Sequence, residues 1–229
     1  MRILVIEDKE SHRKSAEETL AGHDVTMVKS FDEAMGLIER KIDEGSLERL
    51  LFDAGFPTKP KYSDERWDAY WKAREEAETM SVIPLPFDVI LTDMMMPMSQ
   101  KTLAPGVFNP KEQVPYGLII ALKAALYGIR FVAMVTDTNH HQGAMSAAID
   151  HLGTAYYQDG CKPNFMINGA KVMFVHAPFC EDVVGQKACS PCRGSGDNGK
   201  CSYCRGTGKV DDVRHDRKDW GKVLADLTA

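Results

Sequence analysis

The chain has 229 residues, 44% of them hydrophobic and 27% charged, and its formal net charge is −5 at pH 7. This composition is typical of a globular protein with one large domain, or with one domain and a small module. The negative net charge does not indicate a protein that binds along nucleic acid or an anionic membrane. The longest apolar runs are too short to span a bilayer, and the amino terminus lacks the pattern of a signal peptide, so a cytoplasmic location is expected.

Short apolar runs alternate with helical patterns along the chain, and this alternation predicts a parallel sheet with helices on both faces. Taken in chain order, the predicted strands cover residues 2–6, 25–28, 87–92, 130–135 and 171–175. The predicted helices of the same body cover residues 11–20, 30–51, 117–127, 142–152 and 216–227, where residues 30–51 form either one helix or a helix pair broken at Gly45-Ser46. The expected fold class is therefore α/β.

Two segments, residues 52–86 and 98–116, interrupt this rhythm and are predicted to be insertions. The first contains a charged helix with an aromatic face formed by Trp67, Tyr70 and Trp71. We expect this face to dock on the body of the protein, and a partner-binding surface is the alternative.

Acidic side chains follow two of the predicted strands. Glu7 and Asp8 come directly after the first strand, and Asp93 follows the third. Because ligands of an open parallel sheet lie beyond the carboxyl ends of its strands, we expect these three side chains to converge. Clustered carboxylates are tolerated when a hard cation such as Mg²⁺ lies between them, and one of them could then attack phosphorus. Thr136, at the end of the fourth strand, is placed to donate a hydrogen bond to the phosphoryl oxygens.

The segments that carry these acids resemble the receiver domain of two-component response regulators. Residues 1–37 contain a strand that ends in Glu-Asp, and residues 87–98, FDVILTDMMMPM, are similar to the phosphoacceptor segment of that family. The resemblance implies a flavodoxin-like fold, a doubly wound, five-stranded parallel sheet in the order 2-1-3-4-5, with Asp93 as the phosphoacceptor. The magnesium ligands that it implies are the carboxylates of Glu7, Asp8 and Asp93 and the backbone carbonyl of Met95.

The same resemblance assigns Thr136 as the switch hydroxyl and Phe174 as the switch aromatic residue. It implies two kinds of partner, a sensor histidine kinase or phosphotransfer protein that supplies the phosphoryl group, and an output protein that is not identified. No DNA-binding output domain is visible in the sequence, so output through protein contacts is expected. Any catalysis would be limited to phosphoryl transfer to Asp93 and its hydrolysis.

Two positions depart from the family pattern. The lysine that the family places before the proline of the last strand is Ala177 here, and the small residue after the switch hydroxyl is Asp137. The charge of Asp137 would repel an incoming phosphoryl group unless a cation intervenes. These departures favour an alternative, a degenerate pseudo-receiver that acts as a scaffold and is not phosphorylated. A third hypothesis is a metal-dependent hydrolase in which His140 or His141 joins the acidic residues.

Four of the six cysteines lie in two copies of the pattern C-x-x-C-x-G-x-G. The four are Cys189, Cys192, Cys201 and Cys204. Each C-x-x-C turn offers two thiolates, so the two copies complete a tetrahedral site and predict a structural zinc ion. Because sulfur would fill all four positions, the ion would fold the segment rather than catalyse a reaction. The repeat resembles half of the cysteine-rich domain of J-domain co-chaperones, which has four such copies.

These patterns predict one receiver-like domain made of residues 1–180 and 211–229. The zinc-binding module, residues 187–210, would be inserted between the fifth strand and the fifth helix of that domain. Residues 187–218 carry an excess of Lys and Arg. We interpret that excess as a solvated basic face rather than as a nucleic-acid-binding surface.

Overall fold

Six strands pair into one central sheet in the computed structural model, which describes residues 1–59, 66–101, 106–137 and 160–229. In chain order the elements are β1 (Arg2–Ile6), α1 (Glu10–Thr19), β2 (Asp24–Val28), α2 (Phe31–Ile38), β3 (Lys41–Ile42), α3 (Glu44–Asp53), α4 (Trp67–Met80), β4 (Val82–Ile83), β5 (Val89–Asp93), β6 (Met96–Pro97), β7 (Gln113–Val114), α5 (Tyr116–Leu126), β8 (Phe131–Thr136), β9 (Phe165–Ile167), β10 (Ala170–His176), β11 (Asp182–Ala188), β12 (Lys209–Arg214) and α6 (Trp220–Thr228). The helix predicted at residues 142–152, with His140 and His141, lies outside the described residues.

The central strands are buried because helices cover both faces of the sheet. Alternate residues of β1 point to opposite faces, as the pleat of a strand requires. Leu4 and Ile6 belong to the apolar cluster formed with α2 and α5, whereas Ile3 and Val5 belong to the cluster formed with α1 and α6. The predicted α/β class and the mostly parallel sheet are confirmed. Within the described residues, no helix is both long and apolar enough to cross a membrane.

The predicted sheet of five strands in the order 2-1-3-4-5 is incomplete, because the sheet has six strands and that order covers only the five parallel ones. The sheet has the order β2-β1-β5-β8-β10-β9, and its sixth strand, β9, runs antiparallel to β10 at one edge. Asn168 and Gly169 join the two strands, and both have positive φ angles, 48° and 80°. A two-residue hairpin turn requires this conformation, and Asn-Gly is the pair that adopts it most readily. The extra strand therefore has a local sequence signal.

The long helix predicted over residues 30–51 is two helices with β3 between them. At the start of α2, the Ser30 hydroxyl accepts the N–H of Glu33, which is one of the hydrogen bonds of a capping box. At the start of α3, the Asp43 carboxylate accepts the N–H groups of Gly45 and Ser46. The break therefore falls before Asp43, and the Gly-Ser pair forms the first turn of the second helix.

The insertion predicted at residues 52–86 contributes α4 and β4 to a small unit with its own apolar cluster. Leu47 and Leu51 of α3 pack there with Tyr70 of α4, and β3 pairs with β4. Of the predicted aromatic face, Tyr70 is buried, whereas Trp71 is 48% exposed. The aromatic face is thus shared between this cluster and the surface.

Between β10 and α6 the chain leaves the sheet and forms the antiparallel pair β11 and β12, with the four cysteines of the repeat beyond its far end. We call residues 182–214 the cysteine hairpin. Its two ends meet at the sheet, where Phe179 forms a β-bridge with Lys218. The N–H of Asp219 also donates to the carbonyl of Pro178. The hairpin is therefore inserted between β10 and α6, and the chain returns to the sheet at Lys218.

Candidate functional site

The acidic residues predicted to converge lie together at the carboxyl end of the sheet. β1 and β5 are parallel neighbours with Ile6 opposite Thr92, so the residues that follow them reach the same edge. Oxygen atoms of Glu7, Asp8 and Asp93, which we call the acidic cluster, lie within 4.8 Å of one another. Glu7 and Asp93 are 0% and 2% exposed. The structure thus brings these three predicted site residues into one buried group.

A lysine lies within this cluster. The Nζ of Lys218 donates to Oε2 of Glu7 at 2.7 Å and to Oδ1 of Asp93 at 2.9 Å, and the side chain is completely buried. The expectation that the site lacks a lysine because Ala177 stands before Pro178 is therefore wrong. Lys218 was also counted in the solvated basic face, and that interpretation is wrong for this residue.

Sequence reasoning missed Lys218 because the cysteine hairpin separates it from β10 in the chain. It lies 125 residues after Asp93, and local periodicity carries no information about such a contact. The available signal is its place directly before Asp219, whose side chain accepts the N–H of Lys222 and caps α6. In this chain, the residue directly before the last helix is the one that reaches Glu7 and Asp93.

Burial and charge act in opposite directions on the groups of the acidic cluster. Burial raises the pKa of Glu7 to about 7, although the Lys218 ammonium opposes the rise. Burial likewise raises the pKa of Asp93 against the attraction of Lys218. For Lys218, burial favours the neutral amine, but the charges of Asp93, Glu7 and Asp137 outweigh it and raise the pKa. The lysine is therefore charged at neutral pH and compensates the buried carboxylates.

The cluster has the oxygen donors that a hard cation requires. Oδ1 of Asp8 is buried and has no hydrogen-bond partner in the described part of the chain. The turn that presents it is braced by Arg13, whose guanidinium donates to the carbonyls of Glu7 and Asp8 at 2.9 and 2.6 Å. A buried carboxylate oxygen without a donor is the kind of acceptor that Mg²⁺ satisfies. The acidic cluster is thus compatible with Mg²⁺.

Three other residues were predicted for this site. Thr136, the last residue of β8, is buried one position beyond Val135, which pairs with Asp93. Met95 is partly buried and packs against the apolar cluster of α2 and α5, and the role of its carbonyl stays a prediction. Phe174 is 1% exposed in the middle of β10.

The start of α5 packs directly on the backbone at the end of β5. The N–H of Gly117 donates to the carbonyl of Met94 at 3.0 Å. A Cβ atom at Gly117 would lie 2.7 Å from the Cα of Met94 and would also overlap the carbonyl of Asp93. Only glycine permits such an approach, so this residue sets the position of the Asp93 backbone.

Asp137, the second departure from the family pattern, is turned toward α1. Its carboxylate forms an ion pair with Lys9 and accepts a hydrogen bond from Nε2 of His12 at 3.1 Å. Burial opposes ionisation of Asp137, but the hydrogen bond from His12 and the charges of Lys218 and Lys9 hold its pKa well below the usual range. Cations therefore already compensate the charge that was expected to repel a phosphoryl group.

The four cysteines of the repeat form a second, separate group at the end of the cysteine hairpin. All four are buried, and the Sγ atoms of Cys189 and Cys201 are 3.8 Å apart, those of Cys192 and Cys204 3.7 Å. A tetrahedron with Zn–S bonds of about 2.3 Å has sulfur–sulfur edges of about 3.8 Å. The N–H of Gly208 donates to Cys204 at 3.2 Å. This buried cluster can hold a metal ion such as zinc.

Comparisons with known proteins add little to this geometry. No protein-family model matches the chain, and no curated protein matches it. A search of solved structures returned the crystal structure of a mutant receiver domain of the histidine kinase CKI1 from Arabidopsis thaliana. The match has a TM-score of 0.31 and 18% identity, and it covers 76% of this chain and 79% of that one. It is too weak to assign a function, and no match supports the resemblance of the cysteine repeat to J-domain co-chaperones.

Proposed function

We propose that this protein is a receiver-like phosphoacceptor that takes a phosphoryl group on Asp93 from a histidine of a kinase or phosphotransfer protein. The observation that carries the proposal is the position of Lys218, whose ammonium contacts Asp93 and Glu7 at the carboxyl end of a parallel sheet. A cation held against the accepting carboxylate is what a transferred phosphoryl group requires. The orphaned oxygen of Asp8 in the same cluster supports Mg²⁺ as the second cation.

In the proposed reaction, a carboxylate oxygen of Asp93 attacks the phosphorus atom of a phosphohistidine. The new P–O bond forms as the P–N bond breaks, and the electron pair of that bond stays on the leaving imidazole, which takes a proton from solvent. Mg²⁺, held by the acidic cluster and the Met95 carbonyl, would neutralise charge on the phosphoryl oxygens. Lys218 would hold one of these oxygens, and the Thr136 hydroxyl would donate a hydrogen bond to another.

The proposed output is a change of surface near the ends of β8 and β10. The phosphoryl group would draw Thr136 and Lys218 toward it, and Lys218 lies at the point where the cysteine hairpin rejoins the sheet. A shift of Lys218 would therefore also displace the base of the hairpin. We propose that an output protein recognises the cysteine hairpin. Its far part, residues 187–210, would be a zinc-binding module inserted in a domain of residues 1–180 and 211–229.

A second candidate is a pseudo-receiver scaffold that is never phosphorylated. The observation that favours it is the closure of the site, because Asp93 is only 2% exposed and the Lys9–Asp137 ion pair lies beside it. In this alternative, the contacts of Lys218 with Glu7 and Asp93 would be a structural ion network.

Incubation with phosphoramidate, whose P–N bond resembles that of phosphohistidine, distinguishes the two candidates. We expect intact-mass measurement to show one added phosphoryl group when Mg²⁺ is present and none when it is removed by a chelator. Asp93→Asn should abolish the adduct. Asp88→Asn, which makes the same change at an exposed aspartate paired with Arg2, should retain it. An adduct that persists in Asp93→Asn, or no adduct in the wild type, would reject the phosphoacceptor and favour the scaffold.

A further inference from the structure

The backbone of Lys218 is held by side chains of α1. The N–H of Lys218 donates to Nδ1 of His12 at 3.2 Å, and its carbonyl accepts the hydroxyl of Ser15 at 2.7 Å. Both side chains are buried, at 2% and 0% exposure. Lys218 does not belong to a strand of the central sheet, and its bridge to Phe179 is an isolated one. Contacts with α1 therefore fix the backbone of Lys218 together with its pairing with Phe179.

The hydrogen bonds of His12 determine its tautomer. An amide N–H can only donate, so Nδ1 must be the acceptor and carries no proton. The proton of the neutral ring is then on Nε2, which donates to Asp137 at 3.1 Å. The carbonyl of His12 accepts the indole N–H of Trp220 at 3.0 Å. One residue of α1 thus joins the Lys218 backbone, the carboxylate after β8 and the first residue of α6.

We propose that His12 is a positioning residue that holds the Lys218 backbone where its ammonium reaches Glu7 and Asp93. The two ring nitrogens serve different partners, so the two contacts can be separated by substitution. The Nδ1 contact sets the position of Lys218, whereas the Nε2 contact orients Asp137. The effect of this positioning on phosphoryl transfer rests on the proposed function, but its effect on Lys218 does not.

A pair of amide substitutions separates the two contacts. In His12→Asn, the side-chain oxygen lies near the place of Nδ1 and can accept the Lys218 N–H. In His12→Gln, the longer side chain brings its NH₂ group near the place of Nε2 and can donate to Asp137, but it offers no acceptor to Lys218. The two variants remove the same ring and differ in which hydrogen bond they keep, so each is the control for the other.

The readout is the ¹⁵N NMR signal of the Lys218 ammonium, which burial and ion pairing protect from exchange with water. We expect this signal in the wild type and in His12→Asn, and its loss in His12→Gln. It is assigned by its absence from Lys218→Met. With phosphoramidate, adduct formation on Asp93 should slow about tenfold in His12→Gln and much less in His12→Asn, the scale expected from a small misplacement of a catalytic group.

Any other pattern of the ammonium signal overturns the proposal. Loss in both variants would mean that the imidazole acts only as a structural filler, and retention in both would mean that Lys218 does not need it. If the wild type forms no adduct, the phosphoacceptor function fails, while the ammonium signal still decides the role of His12.

Discussion

At the scale of single residues, Asp137 is the position whose charge was expected to repel a phosphoryl group. The structure shows neighbouring groups that compensate this charge. Its carboxylate is held by Lys9 and by His12, and these contacts keep its pKa below the usual range. A carboxyl group whose pKa is lowered in the folded state adds stability above its unfolded pKa and loses that contribution as the pH falls. The ion pair should therefore stabilise the protein at neutral pH and not in strong acid.

We predict that Asp137→Asn lowers the free energy of unfolding at pH 7 by about 1.5–3 kcal/mol, the usual range for hydrogen bonds to a charged group. The difference from the wild type should shrink as the pH falls below about 4, the ordinary pKa of an aspartate. Urea unfolding of both proteins between pH 3 and pH 7 measures this difference in the free energy of unfolding. Asp53→Asn, at an exposed position at the end of α3, is the matched control and should show no such pH dependence. A variant as stable as the wild type at pH 7 would contradict the prediction.

The residues of this site differ in how far they could be predicted from sequence. Glu7, Asp8 and Asp93 were accessible because each follows an apolar strand, and the edge where parallel strands end is a general property of such sheets. Lys218 and His12 were not, because they meet each other and the acids through contacts between distant segments. His12 has no neighbour pattern that distinguishes it from an ordinary polar residue of a helix, and the one signal for Lys218 is its place directly before the helix cap Asp219.

At the scale of elements, the cysteine hairpin is fastened to the body next to Lys218. Arg217 donates to both oxygens of Asp182, the first residue of β11, at 2.7 and 2.6 Å, and to Glu18 of α1 at 2.7 Å. The N–H of Cys180 donates to the carbonyl of Arg217 at 2.8 Å. The residue before Lys218 therefore joins the base of the hairpin to the helix that holds Lys218. Unfolding of the hairpin should therefore also weaken the contacts of Arg217 next to Lys218.

We predict that disruption of the four-cysteine cluster unfolds the cysteine hairpin and loosens the junction that follows it. A segment too small for its own core loses its structure with the ion that holds it. Hydrogen exchange followed by mass spectrometry should show faster exchange at residues 182–214 in Cys201→Ser, with a smaller increase at residues 215–219. Residues 2–6 should be unchanged.

Cys180→Ser is the control for that experiment, since Cys180 is a partly buried cysteine outside the four-cysteine cluster. It should retain one zinc ion per chain and the exchange rates of the wild type. If the hairpin exchanges freely in Cys201→Ser while residues 215–219 stay protected, the hairpin is independent of the acidic cluster.

Helices and strands with a clear apolar periodicity could be predicted from the sequence. Short strands that depend only on pairing with another strand could not. The buried strands and the capped start of α2 follow from apolar periodicity and from the Ser-x-x-Glu pattern. The two-residue strands β3 and β4 depend on the packing of α3 against α4 and have no periodicity to detect. The helix-pair alternative placed the break at Gly45-Ser46, whereas the Asp43 carboxylate accepts the N–H of Gly45 and makes this residue part of a first turn.

At the scale of the whole molecule, one ion network ties the last segment of the chain to two strands of the sheet. The Lys218 ammonium contacts Glu7 after β1 and Asp93 of β5, and its backbone contacts α1. Next to it, Trp220 and Leu227 of α6 pack in the apolar cluster that contains Ile3. The last segment of the chain therefore covers both the acidic cluster and one face of the apolar core. Changes in this last segment should therefore lower the free energy of unfolding and also alter the reaction at Asp93.

We predict that Lys218→Met lowers the free energy of unfolding by about 3–5 kcal/mol, because it leaves buried carboxylates without their cation. Mg²⁺ should recover part of this loss, since a metal ion held by the acidic cluster replaces the missing positive charge. Thermal unfolding with and without Mg²⁺ should thus show a larger rise in Tm for Lys218→Met than for the wild type, where the ammonium already occupies the cluster. Lys200→Met, at an exposed lysine of the cysteine hairpin, should behave as the wild type. An equal rise in all three proteins would show that Mg²⁺ binds elsewhere, and the acidic cluster would then be a structural ion network closed by its lysine.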